Sequence, residues 1–136
     1  MNFQKISLGT AQIGKDYGVT NKIGKVKENN LKNILKRSEE LGIRYLDTAP
    51  SYGDAEAILG RTLKRDNNFK LISKFEKQSS EYFSHFHKKK WDQALEKSLD
   101  NLCVEYIDTL LLHSCNDLKK QNSNLLLQWL LGLKDK

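Results

Sequence analysis

The sequence alternates short apolar runs with longer amphipathic segments, and this alternation repeats four times along the chain. The apolar runs that we predict as strands cover residues 3–8, 43–46, 69–73 and 107–112. The segments whose apolar residues recur at helical spacing cover residues 28–41, 54–64, 91–102 and 126–133. Strict alternation of strand and helix favours parallel strands joined by right-handed crossovers. We therefore predict an α/β fold, in which the continuous apolar run of the fourth strand is covered on both faces.

Turn residues mark the ends of several predicted elements. Gly42 stands where a glycine commonly ends a helix, and Asp54 is expected to cap the second helix. Loops are expected in the glycine-marked segment after the first strand, at the polar turn that contains Asp66, and over residues 116–122. Residues 78–90 are polar and show no clear period. Because no Pro-rich linker interrupts the chain, we predict a single domain over residues 1–136.

Composition places the chain among ordinary globular proteins. Hydrophobic residues make up 38% and charged residues 29% of its 136 residues, a common balance. No apolar stretch is long and uninterrupted enough to span a bilayer, and the first residues lack the features of a signal peptide. We therefore expect a cytoplasmic protein with no membrane partner. Cys103 and Cys115 are too few for a disulfide framework and lack metal-ligand spacing, so we expect buried or half-buried thiols and no metal site.

The formal net charge of +6 comes mostly from scattered lysines. The three consecutive lysines at 88–90 stand at the beginning of a helix and are expected to form a solvated face. Nucleic-acid binding would require a basic patch interleaved with aromatic residues or a known binding motif. We therefore predict no nucleic-acid partner, although a mildly basic surface also suits a phosphorylated ligand.

Polar side chains stand at or just after the ends of successive predicted strands. Asp47 and Tyr52 follow the second strand, Lys74 follows the third and His113 follows the fourth. The carboxyl ends of parallel strands are where α/β folds place their active sites. Each residue alone has a simpler explanation: a cap or loop pair, a loop tyrosine, a solvent-facing lysine or a hydrogen-bonded core histidine. Their coincidence at successive strand ends favours one shared site.

These four side-chain types fit the reduction of a carbonyl group. A phenol is a weak acid at neutral pH, and a neighbouring ammonium favours its ionised form. Lys74 could supply that ammonium to Tyr52, and Asp47 could supply the carboxylate that keeps a buried lysine charged. His113 could donate a hydrogen bond to the substrate oxygen, which gains negative charge as hydride arrives. The set thus provides a proton donor, two groups that tune it and one that orients the substrate.

The sequence around these positions resembles the aldo-keto reductases, NADPH-dependent enzymes with a TIM-barrel fold. The resemblance is carried by Leu46-Asp-Thr-Ala-Pro-Ser-Tyr52-Gly, Glu56-Ala-Ile-Leu-Gly60, Leu71-Ile-Ser-Lys74 and Tyr106-Ile-Asp-Thr-Leu-Leu-Leu-His113, with Leu8-Gly-Thr10 and Leu99-Asp-Asn-Leu102 also matching. It implies a catalytic tetrad of Asp47, Tyr52, Lys74 and His113, with Tyr52 as general acid. It also implies that Gly9, Thr10 and Asp47 approach the nicotinamide side of the cofactor.

The resemblance covers about four of the eight strand–helix units of a TIM barrel. The expected architecture is the N-terminal half of such a barrel, with strands one and four as sheet edges. In the family, residues that stack on the nicotinamide and clamp the adenosine phosphates lie in later units, and no Gly-rich phosphate loop replaces them in this sequence. We therefore predict that the isolated chain binds NADPH weakly. A fragment, a truncated gene product and a half barrel that pairs with a second copy or another chain all stay open.

Three function classes follow from these residues and this resemblance. The first is an aldo-keto reductase-type oxidoreductase that reduces a small-molecule aldehyde or ketone with hydride from NADPH. The second is a truncated, non-catalytic remnant or assembly module that keeps the tetrad motif without a complete cofactor site. The third is a different α/β enzyme, such as a TIM-barrel lyase, in which Lys74 forms a Schiff base.

Overall fold

Four parallel strands form one open sheet in the computed structural model of the chain, which describes residues 3, 5–63 and 67–134. The strands are β1 (Ser7–Gly9), β2 (Tyr45–Asp47), β3 (Lys70–Phe75) and β4 (Thr109–Leu112), in the order β1-β2-β3-β4. The helices are α1 (Ala11–Gly14), α2 (Glu28–Glu40), α3 (Ala55–Thr62), α4 (His85–Leu102) and α5 (Ser123–Gly132). A short 3₁₀ helix, Cys115–Lys119, lies between β4 and α5.

Every neighbouring pair of strands in the sheet is parallel. The register aligns Leu8 with Leu46, Leu46 with Leu71, and Ile72 with Thr109. Parallel neighbours require a crossover connection, and α2, α3 and α4 lie in the three crossovers. Within the described residues, β1 and β4 each pair on one side only. The predicted α/β fold and its half-barrel architecture are confirmed.

Side chains on the helix-facing side of the sheet form two apolar clusters. The first packs α2 and α3 against the sheet and contains Ile13, Leu31, Leu35, Leu46, Ala55, Ile58, Leu59, Leu71 and Leu102. The second packs α4 and α5 against β3 and contains Phe75, Phe83, Trp91, Leu126 and Trp129. Along β3, Leu71 and Phe75 are buried on this side. Because strand side chains alternate between faces, Lys74 is turned to the opposite face.

Several predicted boundaries are confirmed or shifted by local hydrogen bonds. Gly42 follows α2 with φ of +81°, the left-handed conformation of a helix-ending glycine. β1 begins at Ser7 rather than at residue 3, because the Ile6 N–H donates to the Phe3 carbonyl in a turn.

The second predicted helix, which corresponds to α3, begins as expected but without the predicted cap. Asp54 directly precedes α3, yet its side chain makes no capping hydrogen bond and pairs with Lys25 at 3.2 Å instead. The predicted end of this helix at Lys64 and the predicted turn at Asp66 lie outside the described residues.

Helical structure also occurs in segments that the sequence analysis left as loops or unassigned. α1 lies in the loop after β1, and the 3₁₀ helix lies within the loop after β4. α4 begins at His85 rather than at Trp91, because His87 Nδ1 accepts a hydrogen bond from the Ser84 N–H at 3.0 Å. The lysines at 88–90 are exposed on α4, as expected of a solvated face. No helix in the described ranges is long and apolar enough to cross a bilayer.

Two predictions about burial are wrong. β4 is not covered on both faces, since Leu111 is 43% exposed. The reason is that β4 is an edge strand whose inner face has no packing layer among the described residues. Cys103 and Cys115 are exposed free thiols rather than buried ones. Cys103 follows α4 in the left-handed conformation, with φ of 55°, and Cys115 begins the 3₁₀ helix.

Candidate active site

Asp47 and Lys74 meet at the carboxyl edge of the sheet, on the face turned away from the helices. Asp47 is the last residue of β2, and Lys74 is the residue before the end of the adjacent β3. Lys74 Nζ lies 2.5 Å from Asp47 Oδ1 and donates a second hydrogen bond to the Thr48 carbonyl at 3.0 Å. Only 15% of the Lys74 side chain and 28% of the Asp47 side chain are exposed. The carboxylate therefore compensates for the water that the ammonium has lost.

Tyr52 lies beside this ion pair, in the loop that joins β2 to α3. The Lys74 ammonium is 4.9 Å from the centre of the Tyr52 ring, within the range of a cation–π contact. Lys15 Nζ, from the loop after β1, lies 5.5 Å from the same ring centre. The half-buried ring packs against the first apolar cluster. Two ammonium groups therefore lie near the Tyr52 ring.

The backbone around Tyr52 is held by a tight turn and by a close approach of α1. The Tyr52 N–H donates to the Ala49 carbonyl at 3.0 Å. Gly53 has φ of +64°, and a Cβ at this position would lie 2.5 Å from the Gly14 carbonyl oxygen. Glycine meets both requirements, because it adopts a positive φ without strain and has no Cβ to collide with that oxygen. The loop after β1 and the Tyr52 loop therefore fix each other's positions.

His113 joins the site from the neighbouring strand β4. It directly follows β4, and its N–H donates to the Phe75 carbonyl of β3 at 2.9 Å. The imidazole and Tyr52 ring centres are 6.3 Å apart, with the ring planes at 79°. His113 Nδ1 lies 3.4 Å from the Ser51 hydroxyl oxygen. The side chain is exposed on the open side of the sheet, where a substrate can reach it.

The structure therefore brings together the four residues of the predicted tetrad, from β2, β3 and β4 and the loops after them. The residues predicted to approach a cofactor lie next to them, after β1. Thr10 is fully buried, and both its N–H and its hydroxyl donate to the Asp47 carbonyl at 2.9 Å. Gly9 is exposed, and a Cβ built on it would meet no atom within 4 Å. Thr10 thus anchors Asp47, whereas Gly9 leaves open space beside it.

A buried carboxyl group lies on the opposite side of β3 from Lys74. Glu56 is 2% exposed and accepts hydrogen bonds from the hydroxyls of Ser73 at 2.7 Å and Ser98 at 3.1 Å. Burial raises the pKa of Glu56 above its ordinary value of 4.5, and these hydrogen bonds oppose the rise. The residue borders a cavity of about 340 Å³ between α3 and α4. Glu56 joins two helices to the sheet behind the tetrad.

The loops that follow β3 and β4 are tied to each other around Asp117. This carboxylate is fully buried, and its Oδ2 accepts a hydrogen bond from the Gln78 N–H at 3.1 Å. Lys120 Nζ lies 2.9 Å from Asp117 Oδ1 and also donates to the Gln78 carbonyl. Asp117 Oδ1 accepts no hydrogen bond from the described residues, so its contact with Lys120 is an ion pair. The network links the segment after Lys74 to the segment after His113.

Three contributors to the site escaped the sequence analysis. Ser51 lies inside the quoted motif, directly before Tyr52, and its position there is the one signal that could have singled it out. Lys15 reaches the site only through the folding of a loop that carries no clear periodicity. Glu56 was quoted as part of the motif, but its contacts with Ser73 and Ser98 join separate elements and leave no local pattern.

The described part of the chain contains no group of three or more His, Cys, Asp or Glu side chains that could hold a metal ion. The side chains of the tetrad can perform proton transfer, hydrogen bonding and charge stabilisation. A phenol beside an ammonium, with an imidazole facing it, suits a substrate oxygen that becomes negative during the reaction.

Comparisons with known proteins agree with this geometry. The profile of the aldo/keto reductase family matches residues 5–129. The crystal structure of PA4992 from Pseudomonas aeruginosa, described as an aldo-keto reductase, is 29% identical, with a TM-score of 0.74 over 95% of this chain. Another structure described as an aldo-keto reductase from that organism is 28% identical, with a TM-score of 0.72 over 95% of this chain. None of the curated proteins matches the chain.

A more distant structure shares the fold alone. Aldose reductase from Giardia lamblia is 19% identical, with a TM-score of 0.50, and the match covers 79% of this chain and 32% of that one. The chain spans about half the length of the two Pseudomonas structures, at 50% and 49%. Because the family profile matches nearly the whole chain, the chain belongs to the aldo/keto reductase family.

Proposed function

We propose that this chain carries the proton-transfer half of a carbonyl reductase, which converts an aldehyde or ketone to an alcohol with NADPH. One observation carries the proposal: the Lys74 ammonium lies 2.5 Å from the Asp47 carboxylate and 4.9 Å from the centre of the Tyr52 ring. Membership of the aldo/keto reductase family supports the reaction class. Because the related Pseudomonas structures are about twice as long, we assign the activity to the native assembly that contains this chain.

Tyr52 is the general acid of the proposed reaction. NADPH, when bound, supplies a hydride to the carbonyl carbon, and the electron pair of the C=O π bond moves to the oxygen. The Tyr52 hydroxyl transfers its proton to that oxygen, so an alcohol forms and the tyrosine is left as a phenolate. Lys74 stabilises the phenolate, and Asp47 keeps the Lys74 ammonium charged. A solvent proton then restores the Tyr52 hydroxyl.

His113 orients the substrate in this proposal. Its ring lies nearly perpendicular to the Tyr52 ring, with the ring centres 6.3 Å apart, and we propose that the substrate oxygen binds at a point between the two rings. A carbonyl oxygen at that point would accept one hydrogen bond from the imidazole while it receives the Tyr52 proton. Donors that are already aimed at a developing negative charge stabilise the transition state.

Gly9, Thr10 and Asp47 are proposed to hold the nicotinamide end of NADPH. The open space at Gly9 allows a flat ring to approach the backbone. The Asp47 carboxylate remains partly exposed beside it. Thr10 contributes indirectly, because its hydroxyl is already bonded to the Asp47 carbonyl. These residues fit the nicotinamide end, and the choice of NADPH follows the resemblance to the family.

We propose that a complementary half barrel completes the sheet, in a further part of the same protein, in a second copy or in another chain. Support comes from β1 and β4, which each pair on one side only within the described residues. An open strand edge exposes backbone donors and acceptors that another parallel strand can satisfy. Leu111, which is 43% exposed on β4, would then be covered. Light scattering of the purified chain tests self-association, and a strictly monomeric chain would contradict pairing with a second copy.

Carbonyl-dependent oxidation of NADPH by the native assembly tests the proposed reaction. Benzaldehyde, p-nitrobenzaldehyde and a ketone serve as substrates, with loss of nicotinamide fluorescence and detection of the alcohol as readouts. We expect alcohol and oxidised cofactor in equal amounts. If the assembly binds NADPH but forms neither alcohol nor oxidised cofactor, the proposal is contradicted and a non-catalytic assembly module is favoured. Borohydride trapping of a substrate on Lys74 would favour the Schiff-base chemistry instead.

We propose a cytoplasmic location for this reaction. Both cysteines, Cys103 and Cys115, are exposed free thiols. Exposed thiols persist in reducing compartments and tend to be oxidised outside them. Fractionation of cells that express the chain tests this proposal, and recovery in a secreted or membrane fraction would contradict it.

A further inference from the structure

We propose that Ser51 is a positioning residue that fixes the tautomer of His113. This proposal deepens the function proposed above and rests on it for its catalytic meaning. The Ser51 hydroxyl oxygen lies 3.4 Å from His113 Nδ1, although the two residues are 62 positions apart in the sequence. The distance is long for such a bond, as catalytic hydrogen bonds often are before substrate binds.

Ser51 is itself held in place from the neighbouring loop. Lys15 Nζ donates a hydrogen bond to the Ser51 carbonyl at 3.0 Å. Ser51 also lies within a turn that is closed by a hydrogen bond from the Tyr52 N–H to the Ala49 carbonyl. This turn fixes the direction of the backbone at Ser51. The hydroxyl therefore starts from a restrained backbone, which lowers the entropy lost when it bonds to the imidazole.

The direction of the hydrogen bond decides which ring nitrogen can meet the substrate. In a neutral imidazole one nitrogen carries hydrogen and the other accepts, and a partner at one nitrogen sets the state of the other. When the Ser51 hydroxyl donates to Nδ1, the proton of His113 is on Nε2. Nε2–H is then free to donate to a carbonyl oxygen. The reverse tautomer would present a bare Nε2, which repels that oxygen and cannot orient it.

The chain offers its own references for measuring this tautomer. His87 Nδ1 accepts a hydrogen bond from the backbone N–H of Ser84 at 3.0 Å, so its proton must be on Nε2. His85, at the exposed start of α4, supplies a solvent-averaged reference. His113 is the third histidine of the chain. The ¹⁵N shifts of the three neutral imidazoles can therefore be compared in one spectrum.

The test records these ¹⁵N shifts at mildly alkaline pH for the wild type and three variants. We expect wild-type His113 Nδ1 to match His87 Nδ1. Ser51→Ala should move the Nδ1 shift toward the averaged value of His85, and Ser51→Thr, which keeps the hydroxyl, should restore it. The matched control is Ser114→Ala, since Ser114 directly follows His113 and bonds to Asp117 through its backbone carbonyl. An unchanged His113 shift in Ser51→Ala, or a wild-type shift typical of a protonated Nδ1, would overturn the proposal.

Turnover by the native assembly gives an independent readout. Ser51→Ala should lower kcat by about two- to tenfold, in proportion to the lost fraction of the competent tautomer, and leave KM for NADPH unchanged. If the ¹⁵N shifts change as predicted but the wild type and all variants are inactive, the Ser51–His113 bond is confirmed and the proposed reaction is contradicted. If the ¹⁵N shifts change as predicted but Ser51→Ala keeps full activity, the positioning role of Ser51 is contradicted.

Discussion

The α-carbon of Gly14 lies directly against the carbonyl oxygen of Tyr52. A Cβ built on Gly14 would be 1.7 Å from that oxygen and 2.5 Å from the Ala55 nitrogen. The first loop of the chain therefore contacts, backbone to backbone, the segment that carries the proposed general acid and begins α3. Any side chain at position 14 must separate the two segments.

Gly14→Ala should displace Tyr52 and destabilise the fold. Overpacking of this kind lowers the free energy of unfolding by about 1–3 kcal/mol, and turnover should fall because the phenol moves. The matched control is Gly132→Ala at the end of α5, where a Cβ would meet nothing within 4 Å. Urea denaturation of both variants checks this. Equal stability of the two variants would contradict the close approach of Gly14 and Tyr52.

Glu56 should make stability depend on pH in a defined direction. Its folded-state pKa is raised above the ordinary value of 4.5 by burial. The stabilisation it provides is therefore fully present below pH 4.5, and it is lost as pH rises through the folded-state pKa. Glu56→Gln keeps hydrogen bonding without the charge, so it should stabilise the protein by about 1 kcal/mol at neutral pH and lose that advantage in acid.

Denaturant titrations at several pH values measure this difference between Glu56→Gln and the wild type. Glu96→Gln, on the exposed part of α4, is the matched control and should change little at any pH. A Glu56→Gln variant that is less stable than the wild type at neutral pH would show that the Ser73 and Ser98 hydroxyls favour the ionised carboxylate.

Asp47→Asn should impair catalysis far more than folding. The substitution keeps the size of the side chain but removes the charge that lies 2.5 Å from Lys74 Nζ. Lys74 would then be partly buried without a carboxylate partner. Its ammonium would stabilise the Tyr52 phenolate less, so proton transfer from Tyr52 should slow. We expect kcat to fall about a hundredfold, within the usual range for general acid catalysis.

Asp54→Asn is the control for this comparison. Asp54 also pairs with a lysine, Lys25 at 3.2 Å, but its side chain is 76% exposed. An exposed pair of this kind contributes about 0–1 kcal/mol, so turnover should be unchanged. Similar kinetics for Asp47→Asn and Asp54→Asn would remove Asp47 from the proposed tetrad.

The proximity of the four proposed tetrad residues could be predicted from the sequence because their positions follow a repeating pattern. Asp47, Lys74 and His113 stand at or directly after the ends of apolar runs, and parallel strands place these ends along one edge. Tyr52 follows Asp47 in the same motif. The position of each residue within its strand–helix unit can be read from the local sequence. The parallel sheet then places these positions next to one another.

Other features depended on contacts that leave no local pattern. The prediction that the fourth strand is covered on both faces was wrong, because an apolar run does not reveal whether a second layer packs on the face that carries Leu111. Cys103 was expected to be buried, but it follows α4 in a left-handed conformation that turns it to solvent. Lys15 reaches Tyr52 through the path of a loop, which apolar spacing does not describe.

Asp117→Ala should loosen the loops that border the site. Asp117 is fully buried with Lys120 beside it, and removal of one partner of a buried ion pair typically destabilises a protein by about 3–5 kcal/mol. Lys119→Ala, which changes an exposed neighbour, is the control. Hydrogen exchange at the Gln78 amide, which donates to Asp117, should accelerate in Asp117→Ala alone. Equal exchange in both variants would show that Asp117 does not hold the loops together.

Comparison of Tyr52→Phe with Tyr106→Phe tests the central claim most directly. Both substitutions remove one phenolic hydroxyl, but Tyr106 is 71% exposed and lies outside the tetrad. The measurement is kcat for carbonyl-dependent NADPH oxidation by the native assembly, with circular dichroism to verify the fold of each variant. We predict that Tyr52→Phe loses at least about a hundredfold in kcat while Tyr106→Phe keeps wild-type activity. Wild-type turnover by a folded Tyr52→Phe variant would contradict the assignment of Tyr52 as the general acid.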